Sequence, residues 1–218
     1  VFLKGCARHE DFPVLGKTLH GAVLRKDFGL MKEIGANSFR TSHYPYSRSH
    51  LDLADENGLL VILEMPTVGI KEEIGRLDNP EIIEKAKRMT REAIMRDKNR
   101  PSVIMYSLFN EPDSDVKEFK TFLKELKEEV VKRDPTRPLT FASNKILTDK
   151  EALDMVDVLC HNFYFGWYIL CGDLKQAEKV VSEILDDIHK EYPDKPIIVT
   201  EFGADAIAGV HRHPPEMW

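Results

Sequence analysis

Val103-Ile104-Met105-Tyr106-Ser107-Leu108-Phe109-Asn110-Glu111-Pro112 is the stretch that decides the fold. An uncharged run of strand length, closed by a carboxylate and a proline, reads as a strand buried on both faces, the pattern of parallel sheets. Ile197-Ile198-Val199-Thr200-Glu201-Phe202-Gly203 repeats the arrangement, and Leu59-Leu60-Val61-Ile62-Leu63-Glu64 is a third apolar run ending on a glutamate. In a (β/α) barrel the C-terminal strand ends open onto the mouth, where the βα-loops build active sites. Glu111 and Glu201 are therefore the candidate pair, against the alternative that each is an ordinary solvated glutamate.

Working outward, strands alternate with helical patterns, as a parallel sheet of βαβ units requires. Strands are expected at Phe2–Cys6, Asn37–Arg40, Leu59–Glu64, Val103–Asn110, Leu139–Ala142, Val156–Asn162 and from Ile197. Helices are expected at Leu24–Ile34, with Leu30, Met31 and Ile34 on one face, at His50–Asn57, from Pro80 to about Asp97, at Val116–Arg133 and at Leu174–Tyr192. Phe119, Phe122, Leu123, Leu126 and Val130 form one apolar stripe along the fourth of these. The expected fold class is α/β, a TIM (β/α)8-type barrel lacking its last strand and flanking helices, because no eighth strand pattern follows Phe202. Residues 1–218 read as a single catalytic domain without repeat or linker. An incomplete barrel would leave open edges, through which a homo-oligomer is a possible partner arrangement.

The 218 residues carry 31 Lys and Arg against 37 Asp and Glu, a formal charge of −6, with no basic cluster; a nucleic-acid surface is not expected. No apolar stretch approaches the roughly 20 residues of a membrane span. Cys6, Cys160 and Cys171 fit neither a metal-ligand nor a disulfide spacing, and their odd number suits a reducing compartment, with a cytoplasmic location expected, or a chain whose redox state is immaterial. Cys6 and Cys160 read as strand-core fillers. Val1 in place of an initiator Met reads as a cut point, which leaves a removed signal open.

Paired carboxylates at a barrel mouth fit retaining glycoside hydrolysis, in which one protonates the leaving oxygen while the other attacks the anomeric carbon. Asn110 offers an amide beside Glu111, or else is a turn residue capping its loop. Asn162-Phe163-Tyr164-Phe165-Gly166-Trp167-Tyr168 follows the sixth strand; its rings suit stacking on sugar faces or packing on the barrel rim, and a tyrosyl hydroxyl there can reach a carboxylate. Arg40-Thr41-Ser42-His43-Tyr44-Pro45 sets Arg40 and His43 near the mouth, where Arg40 serves the site or pairs with a barrel carboxylate such as Glu64. His211 with His213 and His9-Glu10-Asp11 lack the spacing of a strong metal motif, so neither metal nor cofactor is expected.

At these residues the chain resembles the catalytic barrel of glycoside hydrolase family 2, and within it the β-glucuronidases. The resemblance rests on Gly5 to Asp11, Gly35 to Tyr46, Arg96-Asp97-Lys98-Asn99, Asn110-Glu111-Pro112, Asn162 to Tyr168, and Thr200 to Asp205 through Pro214-Pro215. It implies Glu111 as acid/base, Glu201 as nucleophile, Asn110 as the amide contacting substrate, Tyr164 beside the nucleophile, and Asn162, Tyr168 and His43 as pocket positions. A β-glucuronide is the implied small-molecule substrate. Family members carry two β domains before the barrel, and after it an eighth strand with a pocket Trp and an Asn-x-Lys motif that reads the uronate; this sequence shows none of these. Tyr106 and Phe109 stand where a Trp and a small residue are usual, and the bulk of Phe109 is expected to crowd the pocket. The rival reading is a barrel fragment or engineered barrel acting as a non-catalytic, self-associating scaffold.

Overall fold

Seven parallel strands pair in chain order in the computed structural model, which describes residues 1–12, 15–17 and 20–204. The elements are β1 (Gly5–Ala7), α1 (Gly21–Glu33), β2 (Ser38–Arg40), α2 (Arg48–Asn57), β3 (Leu60–Glu64), α3 (Pro80–Asp97), β4 (Val103–Asn110), α4 (Lys117–Val131), β5 (Leu139–Ser143), α5 (Lys150–Leu153), β6 (Leu159–Asn162), α6 (Leu174–Glu191) and β7 (Ile197–Glu201). Each neighbouring strand pair is parallel. Arg40 of β2 hydrogen-bonds Glu201 of β7. The sheet must therefore curl until strands five places apart face each other across its concave side, which is barrel geometry.

Two apolar layers follow from the period of two along each strand. The larger packs the outer strand faces under the helices, where Phe119, Phe122, Leu123, Leu126 and Val130 of α4 are all fully buried as their spacing requires. The smaller, Ile62, Met105, Val158 and Cys160, fills the concave side. Two residues on from Ile62 and Met105, the same face carries Glu64 and Ser107, so the interior changes from apolar to polar toward the mouth. Burial pushes the Cys160 thiol up to about 12, which leaves it an inert filler; Cys6 is half-buried and Cys171 exposed.

Several expected boundaries move for identifiable reasons. The first strand begins at Gly5 rather than Phe2, because the Asn37 side chain takes the Lys4 N–H at 2.7 Å and donates to the Phe2 carbonyl at 2.9 Å in place of ladder bonds. The buried face of α1 is Leu24, Phe28 and Met31, while Leu30 and Ile34 are exposed. Val156–Val158 turn into β6 rather than belonging to it, since the Asp157 carboxylate caps the Leu139 N–H at 2.8 Å. The short α5 was not expected. The stretch after Phe202 in which no eighth strand is expected lies, from Asp205 on, outside the described residues, as do His211, His213 and Pro214-Pro215.

α2 docks on the start of the barrel through His50, which is buried among Phe28 and Tyr46 with Glu10 at 3.0 Å from Nδ1. Burial, reinforced by Arg8 and opposed by Glu10, lowers its pKa from 6.5 to about 4. The folded protein then binds this proton less readily than the unfolded chain, so the contribution is complete above pH 6.5 and is lost as pH falls toward 4. The expected loss of stability across that window is up to about 3 kcal/mol. Urea unfolding at pH 7 and pH 4.5 should show a drop that His50→Gln reduces; an unchanged drop would remove His50 as its source.

Candidate active site

Both candidate carboxylates follow irregularities in strand pairing. The register between β4 and β5 shifts between Ser107 and Asn110, and that between β6 and β7 shifts between His161 and Asn162, opposite Glu201. A bulge at a barrel rim re-aims the side chains beyond it. In β4 it sets Leu108 and Phe109 both on the helix side. Phe109 is fully buried with ring centroids 4.9 Å from Phe119 and 5.1 Å from Phe122, so it does not crowd the mouth as its bulk led us to expect. Asn110 is turned inward instead.

Glu111 itself has φ 46°, a left-handed backbone that costs an ordinary residue roughly 1–2 kcal/mol. Its N–H donates to the Ala142 carbonyl at 2.8 Å and its carbonyl accepts from Lys71 Nζ at 2.5 Å, so both backbone groups are held. Strain held this firmly at a strand end is a mark of a functional position.

A continuous network joins the two glutamates. Glu201 accepts from Arg40 and from the Tyr164 hydroxyl. Arg40 also donates to Glu64 and, at 3.4 Å, to Asn110 Oδ1. Asn162 Nδ2 donates to the same Asn110 oxygen at 3.2 Å and to Glu111 Oε1 at 2.7 Å. With its oxygen facing two donors, Asn110 must turn its Nδ2 away from both. Thr200 Oγ1 donates to Asn162 Oδ1 at 2.7 Å, which fixes that amide in turn, and Asn144 reaches the second Glu111 oxygen at 3.3 Å.

The donors around the two carboxylates differ. Glu201 sits between a guanidinium and a phenol, the donors an ionised carboxylate needs. Burial acts to lower the pKa of Arg40, but Glu64 and Glu201 outweigh it and raise it further, so it stays charged at 3% exposure. Burial and the Glu201 carboxylate together raise Tyr164 well beyond the ordinary phenol range, which keeps it a donor. Glu111 meets neutral amides instead. Glu64, fully buried, accepts from Arg40, from Ser107 Oγ at 2.8 Å and from His43 Nδ1 at 2.8 Å. With Nδ1 engaged, His43 directs Nε2 toward Glu201, 3.8 Å away. Arg40 thus fills both roles its sequence position left open, partner to Glu64 and contact to Glu201.

Tyr168 lies on the rim of this network, 61% exposed, with its ring stacked on Trp167 at 4.1 Å and edge-on to Tyr164 at 5.5 Å. All eight expected residues therefore fall on one connected site: Glu111, Glu201, Asn110, Asn162, Tyr164, His43 and Arg40 in the network and Tyr168 beside it. Sequence reasoning passed over Ser107, Thr200, Asn144 and Lys71. Thr200, next to Glu201 on a strand, carried a usable signal; the loop residues Asn144 and Lys71 carried none. Among the described residues, no group of three or more His, Cys, Asp or Glu is placed to hold a metal ion, and no helix is long and apolar enough to cross a membrane.

The whole chain, residues 1–218, matches the model for the TIM barrel domain of glycosyl hydrolases family 2. The chain belongs to glycosyl hydrolase family 2. The family 2 barrel is 40% identical to the beta-glucuronidase of Rattus norvegicus, covering 100% of this chain and 33% of that protein, and 40% identical to that of Paenibacillus borealis, covering 100% and 37%. Its fold superposes with a TM-score of 0.92 on the beta-D-glucuronidase of Dictyoglomus thermophilum, at 42% identity over 99% of this chain and 38% of that one. A beta-glucuronidase of Ruminococcus gnavus in complex with uronic deoxynojirimycin superposes at 0.91, with 39% identity over 100% of this chain and 38% of that one. The chain spans about a third of the length of the relatives it matches.

Proposed function

We propose that the family 2 barrel is the catalytic centre of a retaining exo-β-glycosidase acting on β-D-glucuronides. The observation that carries this reading is the division of the two strand-end glutamates, one between Arg40 and Tyr164, the other among amides. In the first step the Glu201 carboxylate attacks the anomeric carbon as the glycosidic C–O bond breaks, and Glu111 gives its proton to the departing oxygen. In the second, Glu111, now a carboxylate, takes a proton from water, whose oxygen attacks the anomeric carbon and releases Glu201 with the β configuration retained. Arg40 and Tyr164 aim Glu201 through their hydrogen bonds; Asn162 ties Glu111 to the same frame, and Asn110 and Tyr168 face the sugar.

The names of the relatives, and the uronic inhibitor bound by the Ruminococcus gnavus structure, favour a glucuronide over other sugars. The test is hydrolysis of a chromogenic β-glucuronide beside the matching β-galactoside. Faster glucuronide turnover, with the β anomer seen first by proton NMR, is expected. Preference for the galactoside, or an α product first, would overturn the substrate and the mechanism respectively.

A further inference from the structure

The loop between β3 and α3 is fastened to the end of β4, and nothing in the network above requires it. Val68 forms a parallel bridge with Asn110, Thr67 Oγ1 bonds the Leu108 carbonyl, and Lys71 Nζ takes the Glu111 carbonyl at 2.5 Å and Asp113 Oδ1 at 3.3 Å. The other Asp113 oxygen accepts the Glu72 N–H at 2.9 Å, at the start of a single 3-10 turn over Glu72–Ile74. Burial acts to raise Asp113, but Glu72 and Lys71 outweigh it and hold it below the usual carboxylate range.

Pro112 makes the peptide after Glu111 unusual, because it has a carbonyl but no N–H. Its one polar group is the carbonyl that Lys71 takes, and Glu111 occupies the left-handed backbone region there. We propose that Lys71, braced by Asp113, is a positioning residue that fixes the Glu111 backbone and so aims its carboxyl at the leaving oxygen. This rests on the reading of Glu111 as acid/base. Lys71 acts through the peptide of Glu111 and touches no reacting atom, so its effect should grow with the need for proton donation to the leaving group.

Two measurements test it. The kcat/KM values of the protein, Lys71→Met and Lys71→Arg are compared on an alkyl β-glucuronide, whose poor leaving group needs the acid, and on a dinitrophenyl β-glucuronide, whose leaving group does not. Lys71→Met should lose roughly tenfold to a hundredfold on the alkyl substrate and under about threefold on the activated one, with Lys71→Arg largely restored. Equal losses on both substrates, or none, would overturn the proposal.

The second measurement is independent of turnover. Glu111-Pro112 is the sole Glu-Pro pair in the sequence, so labelling glutamate with carbonyl 13C and proline with 15N singles out this one carbonyl by its coupling. Its resonance should move in both Lys71→Met and Asp113→Asn; a resonance that stays put overturns the contact. A parent protein that cleaves no glucuronide while its carbonyl responds to Lys71→Met would sink the glycosidase reading and keep the clamp.

Discussion

Glu201→Ala should lower β-glucuronide hydrolysis by at least about 10⁴-fold with the fold intact, because no other carboxylate in the network can take its place as nucleophile. Glu64 is held by Arg40, Ser107 and His43, and Glu111 is engaged by Asn162 and Asn144. The vacated space admits a small anion. Sodium azide should therefore restore turnover of an activated aryl glucuronide and give the α-glucuronyl azide, since a single displacement on the β-glycoside inverts the anomeric carbon. A residual rate above about one hundredth of the parent, or a β-azide product, would remove Glu201 from the role of nucleophile.

The second large effect is on stability. Arg40 is 3% exposed and bridges Glu64, which is fully buried, to Glu201, which is 12% exposed. Arg40→Met leaves the Glu64 carboxylate with Ser107 and His43 but no permanent cation, and stranding one partner of a buried pair costs about 3–5 kcal/mol. The denaturation midpoint should fall accordingly at pH 7. Adding Glu64→Gln to Arg40→Met should recover part of the loss by removing the stranded charge, whereas the activity loss should persist, because Glu201 has still lost its guanidinium. A stability loss under about 1 kcal/mol would show that Glu64 finds adequate compensation elsewhere.

What was legible in the sequence followed from periodicity and strand ends. The run from Val103 to Asn110 and the stripe of α4 could be read because burial on both faces, or on one helical face, imposes a pattern that local residues carry by themselves. Glu111 and Glu201 could be placed because the end of a buried strand is a fixed point of the architecture. Parity was not legible beyond a bulge. Strict alternation would send Phe109 inward, and the pairing shift after Ser107 sends it outward against Phe119 and Phe122, a consequence of how β4 meets β5 rather than of its own residues. On α1 the spacing of Leu30 and Ile34 fits a helical face as well as that of Leu24 and Phe28, and which face is buried was settled by contact with Phe39 and His50. Lys71 and Asn144 lie on loops whose course the sequence does not encode in any period, so their reach to Glu111 emerged with the three-dimensional structure.

The most direct test of the central claim is mechanism-based trapping with a 2-deoxy-2-fluoro-β-glucuronyl fluoride, followed by intact-mass measurement and peptide mapping. The fluorine at C2 slows both steps, but the good leaving group lets the first proceed, so the covalent intermediate accumulates. One sugar should attach per chain, on the peptide carrying Glu201, and the label should be absent from Glu201→Ala. Attachment at Glu111 or Glu64, or continued cleavage of a β-glucuronide by a protein that never acquires the label, would contradict the double displacement through Glu201.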